Sequence, residues 1–288
     1  MRLIPSHIQI ETIYGYCNAS CIMCNKADWK LNKAIMSCGT FEVIIRKFEP
    51  FIHEIEYVSL FWFGEPLLDQ TIDTKIQIAK NYGLKGIGIA TNGVKLDSSM
   101  AYRLLKAGLD TLIVSIDGYT AAVHEGIRVG TSLDTIVTNV EIFLQVRNSM
   151  DKPCKVLIRF IRQESNRDEW QLFSDYWNEK INPDKGDAVL VYDAHNWGND
   201  TGEIPHSYIC RQPFEKMFIH ANGEVGLCCI DANLFHDIGN VVTTDPIDLF
   251  NSDILNKYRD EMTKGNILSL SPCKTCHVPL SDITKTKI

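Results

Sequence analysis

Between residues 8 and 192, short and almost unbroken apolar runs alternate with helical stretches, and most of the runs end in glycine or a polar residue. Runs without a polar face are buried on both sides, and right-handed crossovers through the intervening helices make such a sheet parallel. This pattern predicts strands at 8–13, 55–61, 86–90, 111–116, 155–161 and 188–192. Helices are predicted at 41–51, 72–81, 98–107, 133–147 and 168–179. Six units are too few for a closed eight-stranded barrel, so the expected class is α/β, an open or partial (β/α)6 TIM-like barrel. Ligands of such folds bind beyond the carboxyl ends of the strands. Cys17, Cys21 and Cys24 follow the first strand, Glu65 the second, Asn92 the third and Asp117 the fourth.

The chain has 288 residues, 45% of them hydrophobic, enough for one substantial core and a smaller satellite. A net charge of -7 argues against a dedicated nucleic-acid binder. The apolar run at 58–63 stops at Gly64 and Glu65, far short of a membrane span, and the first residues lack the apolar stretch of a signal peptide. Ten cysteines would suit a disulfide framework only in an oxidising compartment. Here they fall instead at short, metal-like spacings, so a reducing cytoplasm is expected. Around 196–205 the composition shifts to Asn, Gly, Asp, Thr and Pro, which divides the chain at 1–200 and 201–288. In the second part, 218–220 and 225–227 flank Asn222-Gly223, a signal for a hairpin with a tight primed turn. A further helical stretch is expected over 247–261.

The spacing of Cys17, Cys21 and Cys24 is C-x3-C-x2-C. Three thiolates can hold an iron–sulfur cubane and leave one iron without a protein ligand, where a small molecule can bind and be reduced. A redox enzyme is therefore expected. The segment 17–24 resembles the signature of the radical S-adenosylmethionine (radical SAM) superfamily. Gly64-Glu65-Pro66, Thr91-Asn92-Gly93 and Ser115-Ile116-Asp117-Gly118 resemble its strand-end motifs. The resemblance implies a [4Fe–4S] cluster that chelates the methionyl group of S-adenosylmethionine, so that one electron yields a 5′-deoxyadenosyl radical which abstracts hydrogen from substrate. It implies that Glu65 receives the methionyl ammonium, that Ser115 and Asp117 border the ribose or methionyl group, and that Arg128 takes the methionyl carboxylate. Asn92 suits either the cofactor or its own Asn-Gly turn. Where the family often has an aromatic residue near adenine this chain has Met23, whose thioether packs on flat rings as well.

Cys210, Cys228, Cys273 and Cys276 resemble the auxiliary-cluster domain of the SPASM/Twitch type, a small C-terminal unit of β-hairpin plus helix. By spacing alone, zinc and iron–sulfur are comparable for these four thiols; the resemblance implies a second [4Fe–4S] cluster, able to exchange electrons with the substrate pocket. No cysteine follows Cys276, so one auxiliary cluster is expected. Cys229 is open to three roles: alternative ligand, buried spacer, or hydrogen-atom donor facing the substrate. Cys38 and Cys154 default to inert thiols.

The resemblance points to the aminocyclitol and sugar dehydrogenases and epimerases. Its leading implication is oxidation of a CH–OH group in a small hydroxylated molecule, with the auxiliary cluster accepting the electron. Epimerisation with a cysteine donor and modification of a peptide are the alternatives, the last disfavoured by the want of a leader-binding domain. Arg159, Arg162, Asn166, Tyr192, Asp193 and His195 are polar candidates for substrate, Arg159, Asp193 and His195 foremost, and a guanidinium within an apolar strand demands a polar or anionic partner. An external one-electron donor such as flavodoxin or ferredoxin is implied, with neither nucleic acid nor membrane as partner.

Overall fold

The computed structural model describes residues 2–198 and 209–277; most of the linker expected at 196–205 lies outside them. Six parallel strands carry the first part: β1 (His7–Ile10), β2 (Tyr57–Ser59), β3 (Ile87–Thr91), β4 (Thr111–Ser115), β5 (Lys155–Arg162) and β6 (Ala188–Asp193). They lie side by side in chain order and do not close on themselves. The expected α/β partial barrel is therefore the fold. Helices α1 (Cys38–Lys47), α2 (Ile72–Asn81), α3 (Ser98–Ala107), α4 (Ala121–Ile127), α5 (Leu133–Ser149) and α6 (Trp170–Lys180) alternate with the strands.

Local chemistry sets the boundaries. Asp97 accepts a hydrogen bond from Met100 N at 2.8 Å to start α3, and Gly108, at φ +94°, ends it where a side chain would be strained. The expected helix at 41–51 instead stops at Lys47 and continues as a 3-10 turn over Glu49–Phe51, because Pro50 has no N–H for an α-helical bond. Helix α4 escapes sequence reading since only His124 and Ile127 of its seven residues are buried. All five residues of β3 are buried, as its unbroken apolar character requires. Strand β5 alternates: Val156, Ile158 and Phe160 face the helices, while Arg159 and Ile161 face the interior of the half-barrel. The helix-facing set joins Ile76, Leu104, Val140 and Phe143 in the main core, each burial contributing about 1.5–3 kcal/mol.

The tail does not pack as a separate layer. Strand β7 (Lys216–Ile219) adds to the sheet parallel to β1, and β8 (Val225–Gly226) pairs back on it, so the hairpin extends the barrel sheet. Its turn is not the expected primed pair. Gly223 N bonds to His220 O and His220 N to Glu224 O, both at 2.8 Å, closing a three-residue loop in which only Gly223 has positive φ. After the short α7 (Gln212–Glu215), the expected stretch at 247–261 forms two helices, α8 (Pro246–Phe250) and α9 (Asp253–Thr263). The break falls at Ser252, whose hydroxyl caps α9.

Candidate active site

At the carboxyl ends of the strands a cavity of about 400 Å³ is lined by Cys17, Cys21 and Cys24 together with residues from five strand ends. Ser20–Cys21 pairs antiparallel with Arg128–Val129, which sets Cys21 opposite Arg128. The Arg128 Nη1 then lies 3.7 Å from Cys21 Sγ. Asn92 Nδ2 donates to Asn18 Oδ1 at 2.8 Å and lies 4.0 Å from Cys17 Sγ. Lys26 Nζ donates to the carbonyls of Cys17 and Ala19, shaping the loop. Burial raises the Cys17 thiol above its usual range and pushes Cys24 up to about 11. As bare thiols these side chains would stay protonated at pH 7, and a bound metal reverses that.

Glu65 is buried and fully engaged. Its Oε1 accepts from Thr91 Oγ1 at 2.5 Å and Leu67 N at 3.1 Å, and its Oε2 from Asn92 N at 2.8 Å. Burial raises its pKa against those three donors and Arg128. Glu65 thus ties the loop after β2 to the loop after β3 while lining the cavity. Asn92 accepts from Val94 N in its own turn, as one of its two expected roles requires, and its amide also reaches the cysteine loop.

Asp117 is not on the cavity wall. It stands behind Arg128, with Oδ2 2.7 Å from Arg128 Nε in an ion pair that lacks hydrogen-bond alignment, and Oδ1 accepting from Ile161 N at 2.7 Å. Expected to border the cofactor, it lies instead off the cavity wall and pairs with the Arg128 guanidinium. Burial pulls the Arg128 pKa down; Asp117 and Cys21 more than offset this, leaving it raised. His124 completes the support: Asp117 N donates to its Nδ1 at 3.2 Å, which places the proton of the neutral ring on Nε2, facing Thr131 Oγ1.

Across the cavity, Ser115 and Arg159 are register partners, and Arg159 Nη2 donates to Ser115 Oγ at 2.6 Å. His195 lines the same wall, its ring 4.2 Å from that of Trp197. Burial, then Arg159, lowers the His195 pKa to about 4. Trp197 Nε1 donates to Met23 O at 2.7 Å, joining the end of β6 to the cysteine loop. Asp193 and His195, two apart, would share a face only if the strand continued through both. The strand ends at Asp193, whose carboxylate forms a two-pronged ion pair with Arg162, both nearly half exposed and off the cavity.

In the tail, Cys210, Cys228, Cys273 and Cys276 line one small, largely apolar pocket with Tyr258 and Met262 of α9. Burial raises Cys228 well above its usual range and Cys273 to about 12, neighbouring thiols adding to each. Asp231, fully buried, accepts from Leu227 N and Phe235 N, pinning the turn that carries Cys228 and Cys229. Cys229 lines both the tail pocket and the main cavity. Cys38 and Cys154 line neither, and Cys154 precedes β5 at the opposite end of the sheet.

Residues 12–174 match the family model of the radical SAM superfamily. The chain belongs to that superfamily. In this radical SAM protein residues 210–277 also match the SPASM iron–sulfur cluster-binding domain. The probable GTP 3′,8-cyclase of Methanothermobacter thermautotrophicus is 26% identical over 170 residues, which is 59% of this chain and 53% of that one. The chain therefore spans about half the length of the curated relatives it matches. Among solved structures, BtrN in complex with AdoMet and 2-DOIA superposes with a TM-score of 0.66 at 19% identity, over 96% of this chain and 94% of that one. Streptococcus suis SuiB bound to S-adenosylmethionine gives 0.69 at 18%, over 95% and 72%. These likenesses establish the shared fold.

The cofactors of the radical SAM protein are two [4Fe–4S] clusters and S-adenosylmethionine, as expected from the sequence. The residues fit them. Both sites offer soft thiols, three in the barrel and four in the tail, and the barrel site adds a guanidinium beside the thiols for an anionic ligand. Among the described residues no three His, Cys, Asp or Glu side chains converge around a point as they would for a single ion. A cubane gives each thiolate its own iron and asks for no such convergence. No described helix is long and apolar enough to cross a membrane.

Sequence reasoning missed a second polar device. Glu11, fully buried, accepts from Phe63 N at 2.9 Å and Ala221 N at 3.2 Å, and lies 3.2 Å from His220 Nδ1. The His220 ring sits 4.4 Å from that of Trp62, whose Nε1 donates to Cys229 O at 2.9 Å. A charged residue just past an apolar strand, as Glu11 is, was the available signal. Its partners lie some 50 and 210 positions away in sequence.

Three imidazoles make the fold acid-sensitive. Burial, with smaller help from Lys216, Arg128 and Arg159, lowers His7 to about 3 and His124 and His195 to about 4. Below about pH 6.5 the unfolded chain takes up protons that the native one refuses, so stability falls with pH by up to about 1.4 kcal/mol per pH unit for each ring. Urea midpoints of the cluster-free chain should drop between pH 7 and pH 5, and His124→Gln should flatten that slope by about a third.

Proposed function

We propose that the protein is a radical SAM oxidoreductase of a small hydroxylated substrate, a sugar, aminocyclitol or related molecule, oxidising a CH–OH group to a ketone. One observation carries the reading: the thiols of the barrel site, the polar pair Arg159 and His195, and Cys229 of the tail line a single cavity. When bound, the barrel cluster and S-adenosylmethionine supply hydrogen-atom abstraction. Arg128 holds the methionyl carboxylate, with Glu65 and Asn92 ordering the loops around the methionyl group. Met23 borders the adenine, and Ser115 steadies Arg159. His195, neutral at pH 7, takes the hydroxyl proton, and Cys210, Cys228, Cys273 and Cys276 would hold the auxiliary cluster, which would supply an acceptor for the remaining electron. Residues 1–200 form the radical core and 201–288 the auxiliary unit. We place the enzyme in the cytoplasm, reduced by a flavodoxin or ferredoxin. The half-length match to proteins named GTP 3′,8-cyclase supports the common core and leaves the substrate to the cavity.

The exposure of Cys229 to the main cavity favours one second reading, epimerisation with Cys229 returning a hydrogen atom. Cys229→Ala separates the two. With substrate, S-adenosylmethionine and reductant under anaerobic conditions, a dehydrogenase variant still forms ketone. An epimerase variant makes 5′-deoxyadenosine but loses inverted product by about two orders of magnitude. Failure of the wild-type holoenzyme to release 5′-deoxyadenosine with any hydroxylated substrate would overturn both.

A further inference from the structure

The charges on the cavity wall do not balance. Arg128 has Asp117 at 2.7 Å. Glu65 is committed to three donors of the strand-end loops. Arg159 donates to one neutral hydroxyl, that of Ser115, and its Nε is buried without a hydrogen-bond partner. Arg128 and Arg159 also repel one another, and Asp117 answers that only at a distance, as its oxygens are taken by Arg128 and Ile161 N. Arg159 is part-buried on the cavity wall, and among the described residues no carboxylate forms an ion pair with it, an unfavourable setting for a guanidinium. Beside it the His195 Nδ1 is likewise buried and without a hydrogen bond. Both side chains line the same void.

We infer that the substrate carries an anionic group, a carboxylate or a phosphate, and that Arg159 with His195 receives it. This rests on the radical SAM oxidoreductase reading of the site. The planar guanidinium of Arg159, on the cavity wall, offers donors that match the oxygens of either anion. The methionyl carboxylate is a separate demand, met by Arg128 next to Cys21. A neutral hydroxyl at Arg159 would leave the charge uncompensated. Burial chiefly keeps His195 neutral, and an anion there relieves the smaller repulsion from Arg159, which favours that ring holding the hydroxyl proton.

The test uses the holoenzyme, both clusters reconstituted, saturated with S-adenosylmethionine so that Arg128 is occupied. Inorganic phosphate, acetate and, as a neutral control, glycerol are titrated calorimetrically. Saturable binding of phosphate or acetate but not of glycerol is expected, and whichever anion binds tighter names the group. Arg159→Met should weaken that binding by about tenfold or more while the affinity for S-adenosylmethionine stays within about twofold. Arg159→Lys, which keeps the charge and guards against a folding defect in the methionine variant, should retain most of it. The inference falls if the wild type binds neither anion, if glycerol binds as well, if Arg159→Met leaves anion binding unchanged, or if it weakens S-adenosylmethionine equally. Production of 5′-deoxyadenosine by the same preparation is measured alongside. If it is made and no anion binds, the inference alone fails; if it is not made, the underlying reading fails.

Discussion

Replacing Cys21 by alanine is expected to abolish reductive cleavage of S-adenosylmethionine, lowering 5′-deoxyadenosine formation by about three orders of magnitude, or about 4 kcal/mol in the barrier. Cys17 and Cys24 flank it in one loop, Cys38 does not reach the cavity, and Cys229 enters it from the separate turn of the tail. Iron should fall from about eight to about four atoms per chain, because the tail site keeps its own four thiols. Cys273→Ala should show the converse, the same loss of iron with cleavage of S-adenosylmethionine largely kept and turnover of substrate lost. Iron analysis with anaerobic quantification of 5′-deoxyadenosine in both variants checks this. If Cys273→Ala stops cleavage as completely as Cys21→Ala does, the division of labour between the two sites is wrong.

The second large effect is expected at a residue that touches no ligand. Asp117→Asn leaves the Arg128 guanidinium buried beside Cys21 without its counter-charge. Breaking one side of a buried pair costs about 3–5 kcal/mol, far more than most substitutions. The affinity for S-adenosylmethionine should fall as well, since the side chain we propose for the methionyl carboxylate loses its anchor. Asp117→Asn combined with Arg128→Met removes both charges and should recover much of the stability without restoring binding. Urea denaturation and equilibrium binding on the single and double variants separate the two effects. Near-additive stability losses would show that the pair is not coupled.

Much of the fold was legible because the signals are local. The ends of α3 depend on Asp97 and Gly108, both within one turn of the helix they bound. The parallel order of β1 to β6 follows from apolar runs and crossover handedness. Errors arose where one residue overrode a periodic pattern, as Pro50 did in the helix after the cysteine loop and Ser252 in the tail. In the site, residue types were legible and their facing was not. Asp193 and His195 are two apart, yet the first turns out to Arg162 and the second in to the cavity, because the strand stops between them. Ser115 and Asp117 share a motif, but only Ser115 reaches the wall.

By itself the sequence determined the α/β class, the two sets of cysteines and hence the superfamily, since strand periodicity and ligand spacing are properties of neighbours along the chain. Only the tertiary structure decided that Cys21 faces Arg128, that Glu11 joins β1 to the tail hairpin, and that Cys229 looks into the radical cavity. Those contacts span roughly 100 to 220 positions. They exist because burial of the sheet and its hairpin leaves charged and hydrogen-bonding groups inside that must find partners across the fold, and no local pattern encodes which partners those will be.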